Sequence, residues 1–324
     1  MTRLTSYLVA CMGLLCISPY KSAADNPPVA TLSPVRAAQC PEAAVTCQDF
    51  DAIVFVHGIY GGDDTFRNGT FDWPSNLPQC IQLDTNCRVI DIFKLKYRTA
   101  MLSWAKGNNP SLDVVASAVF DAMAPLRKRQ YRSIGFIAHS LGGDVVSTYI
   151  VMLTERFSHP QRSQNGFVIT LATPVLGSQI ADIAHDLKES LFMSDPLLDA
   201  LKKNNIYLTM LNDFRQMEVQ KGQRYVCRPV HVHAAYEEKH IGPLLIVGKD
   251  SAAISISKLA DSPIVGFPLN HIDIAKPANE QSPVYVWTMD RIKSEYARLA
   301  QWEEDHKNAP QNRRLCVGMD FIPE

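Results

Sequence analysis

Short, uninterrupted runs of β-branched and other apolar residues recur along this 324-residue chain, separated by stretches of helical periodicity. Residues 52–56 (A-I-V-F-V), 88–95, 133–138, 166–172, 229–234 and 244–247 read as six strands. Residues 112–127, 141–157 and 286–305 carry apolar side chains at helical spacing. A strand that is apolar on both faces has to be covered on both sides, and helical crossovers between such strands make them parallel. The expected architecture is therefore α/β: a mostly parallel central sheet with helices on both faces. With 46% of its residues apolar, the chain can fill a core of that size.

One of these strands ends at an informative corner. Residues 136–143 read F-I-A-H-S-L-G-G, so a strand stops, Ser140 follows, and a helix begins. A serine presented at such a bend needs small residues two before and two after it, because the backbones crowd there. Ala138 and Gly142 hold those positions, an A-x-S-x-G version of the usual G-x-S-x-G. The bend lifts the hydroxyl clear of the sheet, and the helix N-terminus beneath favours developing negative charge. A serine that merely caps the helix is the plain alternative. The strand before and the helix after favour the nucleophile.

Acyl transfer through a serine needs backbone donors for the oxyanion. The glycine-rich exit of the first strand, V-F-V-H-G-I-Y-G-G over residues 54–62, offers one set. The expected donors are the amides of Ile59 and Leu141, with His57 as a structural residue of the loop. The stretch lacks the G-x-G-x-x-G of a dinucleotide site.

The serine also needs a base, and the base an orienting acid, in the chain order Ser, then Asp or Glu, then His. Of the nine histidines, His271 fits best, in a loop after the last expected strand. His240 is the fallback, His139 points elsewhere along the backbone, and His231 and His233 alternate on one strand as a packing face. The acid belongs at the end of the fifth strand, where Glu237 is the choice. Glu238 and, one strand later, Asp250 are the alternative acids.

Five segments taken together, F-V-H-G, A-H-S-L-G-G, L-A-T-P (171–174), A-Y-E-E (235–238) and N-H-I-D-I-A-K-P (270–277), resemble the serine-esterase and lipase-like α/β hydrolases. That group includes the GPI inositol-deacylase-like and serine-active-site-containing proteins. The resemblance spans residues 52–277. It implies the α/β-hydrolase fold, ester hydrolysis or acyl transfer often on lipids, and the residues Glu237 and His271 as partners of Ser140. This chain departs from the pattern at Ala138, and at Asn270, where an aspartate often precedes the histidine. No metal or organic cofactor is required by this chemistry. The rivals are an inactive hydrolase fold that serves as a binding module, and a peptidase or acyltransferase on the same fold.

The remaining features concern location and partners. Arg3, the apolar stretch 8–17 and Ser22-Ala23-Ala24 describe a signal peptide over residues 1–24, hence export to a periplasmic or secreted location. A second reading makes Cys11 a lipidated lipobox cysteine. Residues 25–48 form an extended lead-in to a hydrolase domain over 49–324. Six cysteines remain after the leader, an even number that suits disulfides. Cys40 with Cys47 and Cys80 with Cys87 are the local pairs, which leaves Cys227 with Cys316. Residues 175–225 form an insertion with two amphipathic helical segments, expected to act as a cap and to allow peripheral membrane contact. A formal net charge of -1 does not favour a nucleic-acid partner. The expected partner is a small-molecule or lipid ester.

Overall fold

The computed structural model describes residues 29–36, 40, 44, 47–59, 61–83, 87–99, 110–156, 164–174, 230–241, 245–253, 264–305 and 307. The expected leader, the insertion 175–225, Cys227 and Cys316 lie outside the described residues. In chain order the elements are β1 (Ala30–Arg36), β2 (Asp51–Val56), a ribbon of β3 (Arg67–Asn68) and β4 (Phe71–Asp72), and α1 (Trp73–Asn76). Next come β5 (Cys80–Gln82), β6 (Cys87–Tyr97), α2 (Leu112–Ala122), α3 (Ala124–Arg129), β7 (Ser133–His139), α4 (Leu141–Arg156) and β8 (Asn165–Leu171). The last are β9 (His231–Glu237), α5 (Lys249–Ala253), β10 (Val265–Phe267), a 3-10 turn (Asp273–Ala275) and α6 (Pro283–Asp305).

The main sheet has the order β1-β6-β2-β7-β8-β9-β10, with β5 added on β6. From β6 to β10 every pair is parallel. Only β1 and β5 run antiparallel, both against β6. Side chains alternate between the two faces, as the pleat requires. Ala52, Val54 and Val56 of β2 join one core with Val119 of α2 and Val145 and Tyr149 of α4. Ile53 and Phe55 join the other with Ile292, Tyr296 and Leu299 of α6. Both faces of β2 are thus buried, which is why its sequence is an unbroken apolar run.

The chain passes from β2 out to β6 and then back across β2 to β7. The order reverses at β2, which makes the carboxyl ends of β2 and β7 the topological switch point, where sheets of this kind carry their sites.

Two local expectations are corrected. The single helix over 112–127 is two, parted at Met123, because Pro125 in the first turn of α3 lacks the N–H a continuous helix needs. Residues 245–247 are not a strand; the partner of β9 is β10, in register from Val265 against Ala235 to Phe267 against Glu237. The extended lead-in contains β1, which pairs with β6 from Ala30 against Tyr97. Disulfides join Cys40 to Cys47 and Cys80 to Cys87, with Cα atoms 5.8 and 5.5 Å apart. They are compatible with an extracellular location. Among the described residues no helix is long and apolar enough to cross a membrane.

At the amino end of β2, fully buried Asp51 accepts from Arg132 Nη2 at 2.7 Å and pairs with buried Arg88 at 3.4 Å. Arg88 Nη2 also reaches Glu303 Oε2 of α6 at 2.7 Å. Removing one member strands a buried charge, which costs more than the pair itself contributes. Asp51→Ala is expected to lose about 3–5 kcal/mol of unfolding free energy in urea denaturation. The KM of the folded fraction should be unchanged.

Candidate active site

Ser140 stands at the carboxyl end of β7, between that strand and α4, with φ 53°. Few residues other than glycine adopt this left-handed conformation, and it persists only where the surroundings hold it. Here the Ser140 amide donates to Leu171 O of β8 at 2.9 Å, and Ser140 O accepts from the Gly143 amide at 3.0 Å. A Cβ on Gly142 would lie 2.5 Å from His57 O and 2.6 Å from Val56 O, so that position admits no side chain. The departure at Ala138 is tolerated, since its methyl is fully buried in the core beneath the bend.

The loop leaving β2 abuts the serine. A Cβ on Gly58 would meet Ser140 Cβ at 2.6 Å and Ser140 Oγ at 3.2 Å. Ile59 follows in this loop, and Leu141 opens α4, where the first amides have no intrahelical acceptor. His57 braces the loop. Its Nδ1–H donates to Gly58 O at 2.7 Å, and its Nε2 accepts from the Tyr97 amide at 3.1 Å. The Tyr97 ring stacks on it at 4.3 Å, and its hydroxyl donates to His57 O at 2.6 Å. Burial lowers the His57 pKa, which matches a neutral ring with one donor and one acceptor nitrogen.

His271 and Glu237 come to Ser140 from far along the chain. Ser140 Oγ lies 3.0 Å from His271 Nε2, and His271 Nδ1 lies 2.6 Å from Glu237 Oε2. Glu237 ends β9 and is fully buried. Its Oε1 accepts from the amides of Ile246 and Val247 at 2.7 and 2.9 Å. These amides explain why an apolar run after β9 is not a strand: they turn to a carboxylate instead of a ladder. Because a carboxylate only accepts, Nδ1 carries the imidazole proton. Nε2 is then left as a lone pair toward the serine hydroxyl.

The loop carrying His271 is built by Asn270. Its Oδ1 accepts from the amides of Ile272 and Asp273 at 3.0 and 2.9 Å, while its Nδ2 donates to Asp273 Oδ2 at 2.7 Å. An aspartate would keep the first two bonds but set two carboxylates side by side. Asparagine therefore suits the sequence N-H-I-D.

The other candidates are not brought to this point. Glu238 and His240 are exposed beyond β9, and Asp250 is exposed in the first turn of α5. His231 and His233 share Glu295 Oε1 of α6 at 3.1 and 2.7 Å. Their hydrogen bonds and Arg298 hold that carboxyl well below its ordinary pKa despite burial. Among the described residues no cluster of His, Cys, Asp and Glu could hold a metal ion.

His139 is the residue that sequence reasoning misplaced. It turns into the site, where its Nε2–H donates to His271 O at 2.7 Å. No local signal reports this, since the acceptor is a main-chain carbonyl 132 residues away.

A sheet that reverses at β2, with a serine raised on the bend after β7, defines a serine hydrolase of the α/β-hydrolase fold. The chain belongs to the family described as "Putative serine esterase (DUF676)", whose model matches residues 49–224. It is a serine-esterase-like enzyme. No curated protein sequence matches it. Similar solved structures include a lipase from Bacillus licheniformis in mature form, 17% identical with a TM-score of 0.47, covering 82% of this chain and 99% of that one. The phospholipase PlaB from Legionella pneumophila is 15% identical with a TM-score of 0.49, covering 82% of this chain and 64% of its own. An inhibited esterase B from Lactobacillus rhamnosis is 13% identical with a TM-score of 0.48, covering 88% and 93%.

Proposed function

We propose that the protein hydrolyses carboxylic esters with an apolar acyl chain, through an acyl-enzyme on Ser140. The observation that carries this reading is the continuous path from Ser140 Oγ to His271 to the buried carboxylate of Glu237, at 3.0 and 2.6 Å. Ser140 Oγ attacks the ester carbonyl while its proton passes to His271 Nε2. Glu237 keeps the ring in the Nδ1–H tautomer and stabilises the imidazolium. The amides of Ile59 and Leu141 take the oxyanion charge of the tetrahedral intermediate. As the intermediate collapses, the departing alkoxide takes the proton from Nε2. Water then attacks the acyl group, yields its proton to the same nitrogen, and releases the carboxylic acid as the proton returns to Ser140. Exposed Ile272 next to His271, with half-buried Leu269 nearby, supports an apolar acyl group. The even cysteine count and the leader-like residues 1–24 support export.

A fluorophosphonate probe tests this directly. The folded protein is expected to take up one label, mapped to the peptide holding Ser140. Turnover of p-nitrophenyl esters should rise with acyl length. A folded protein that takes no label would be a binding module on a hydrolase fold, and a rate that falls with chain length would overturn the apolar substrate.

A further inference from the structure

We propose that His139 is a positioning residue, whose Nε2–H, donated to the main-chain carbonyl of His271, holds the base-bearing loop in register with the nucleophile. This rests on the reading of His271 as the base for Ser140. The bond measures 2.7 Å, and the two rings lie tilted at 47° with centroids 4.9 Å apart.

Other restraints on that loop come from its neighbours. Pro268, Ile272 and Asp273 are exposed. Leu269 O accepts from the amides of Glu238 and Lys239, and Asn270 bonds within its own turn. These contacts tie the loop to β9 and to itself, while buried Ile274 and Ala275 anchor its far side in the core and Lys276 O accepts from Asn68 Nδ2 at 3.0 Å. Glu237 also belongs to β9, which is separated from β7 by β8. The serine, however, is carried by β7. Apart from the His271 ring itself, His139 supplies the described hydrogen bond that joins this loop to the nucleophile's strand, and it does so from the residue bonded to Ser140. The base and the hydroxyl are thereby also linked by a short route of one peptide bond and one hydrogen bond. The longer route across three strands is bypassed.

The choice of side chain agrees. His139 is buried, and its Nδ1 has no hydrogen-bond partner among the described residues. Burying a bare ring nitrogen is unfavourable, so an apolar residue would sit there at lower cost unless the other nitrogen were needed. Burial, and then the neighbouring His271, push the His139 pKa down to about 3. The ring therefore donates as a neutral group, and adds no positive charge beside an imidazole that must itself become positive. A displacement on the order of 1 Å at a reacting pair can cost about 100-fold in rate, and the tether opposes such a displacement.

The test uses side chains that differ in reach. In His139→Gln the amide nitrogen extends about as far as Nε2, whereas in His139→Asn it falls short, with the same polarity. His139→Leu removes the donor altogether. Expected for Asn and Leu is a kcat, and a rate of fluorophosphonate labelling, lower by about 10- to 100-fold, with KM within about twofold of the parent. His139→Gln should restore kcat to within several-fold, and the thermal midpoints of Asn and Gln should agree. Equal kcat for Asn and Gln would overturn the inference even if the leucine variant did not fold. His271→Ala separates the two levels. If it still hydrolyses esters at the parent rate, the base assignment itself is lost. If it does not, while Asn and Gln are alike, only the tether is lost.

Discussion

Ser140→Ala is expected to lower kcat for ester hydrolysis by at least about 10^3-fold, and to abolish fluorophosphonate labelling, while the protein stays folded. The hydroxyl oxygen is the only heavy atom removed. Its described partner is His271 Nε2, and a hydrogen bond of this kind contributes on the order of 1 kcal/mol. The bend itself is held by main-chain bonds to Leu171 and Gly143, which alanine retains. Alanine at φ 53° bears the same backbone strain as serine, so the thermal midpoint should move little. Any residual rate would come from substrate binding and the oxyanion donors acting on water. Turnover near the parent rate, in a variant verified by mass spectrometry, would remove Ser140 as the nucleophile.

Glu237→Gln is expected to reduce kcat by about 10^4-fold, more than loss of one charge alone would suggest. Oε1 accepts two amides, from Ile246 and Val247, so the glutamine must keep its oxygen there. Its NH2 group then replaces Oε2, facing His271 Nδ1 at a distance of 2.6 Å. Two donors cannot share that contact. The imidazole must move its proton to Nε2, and Nε2–H toward Ser140 cannot accept the hydroxyl proton. The substitution leaves the shape intact and inverts the tautomer. Measured kcat should therefore fall while KM for a p-nitrophenyl ester changes by no more than a few-fold. Glu238→Gln, at an exposed neighbour, serves as the comparison and should leave both constants unchanged. Equal losses in the two variants would reassign the acid.

The parts of the molecule legible from sequence are those whose causes are local. Ser140 was recognisable because the crowding at the bend is decided by Ala138 and Gly142, two residues either side. The strands of the sheet were recognisable because burial on both faces leaves an unbroken apolar run, as in β2. Chain order then ranked His271 first among the histidines.

The rest depended on neighbours distant in sequence. Glu237 and Glu238 are adjacent and chemically alike. Only the extension of β9 to residue 237, and its pairing with β10, points the first into the site and the second to solvent. In the strand-like run, the amides of Ile246 and Val247 turn to a carboxylate because the acceptor there is a buried glutamate, which no periodicity reports. His139, beside the serine in sequence, found its partner in a carbonyl on another loop. The amino-acid order determined which groups could do acyl chemistry and on what kind of sheet, since residue size, apolar pattern and chain order act over short range. Which groups meet was decided by packing, because a hydrogen bond needs its two atoms within about 3 Å and only the closed fold brings them there.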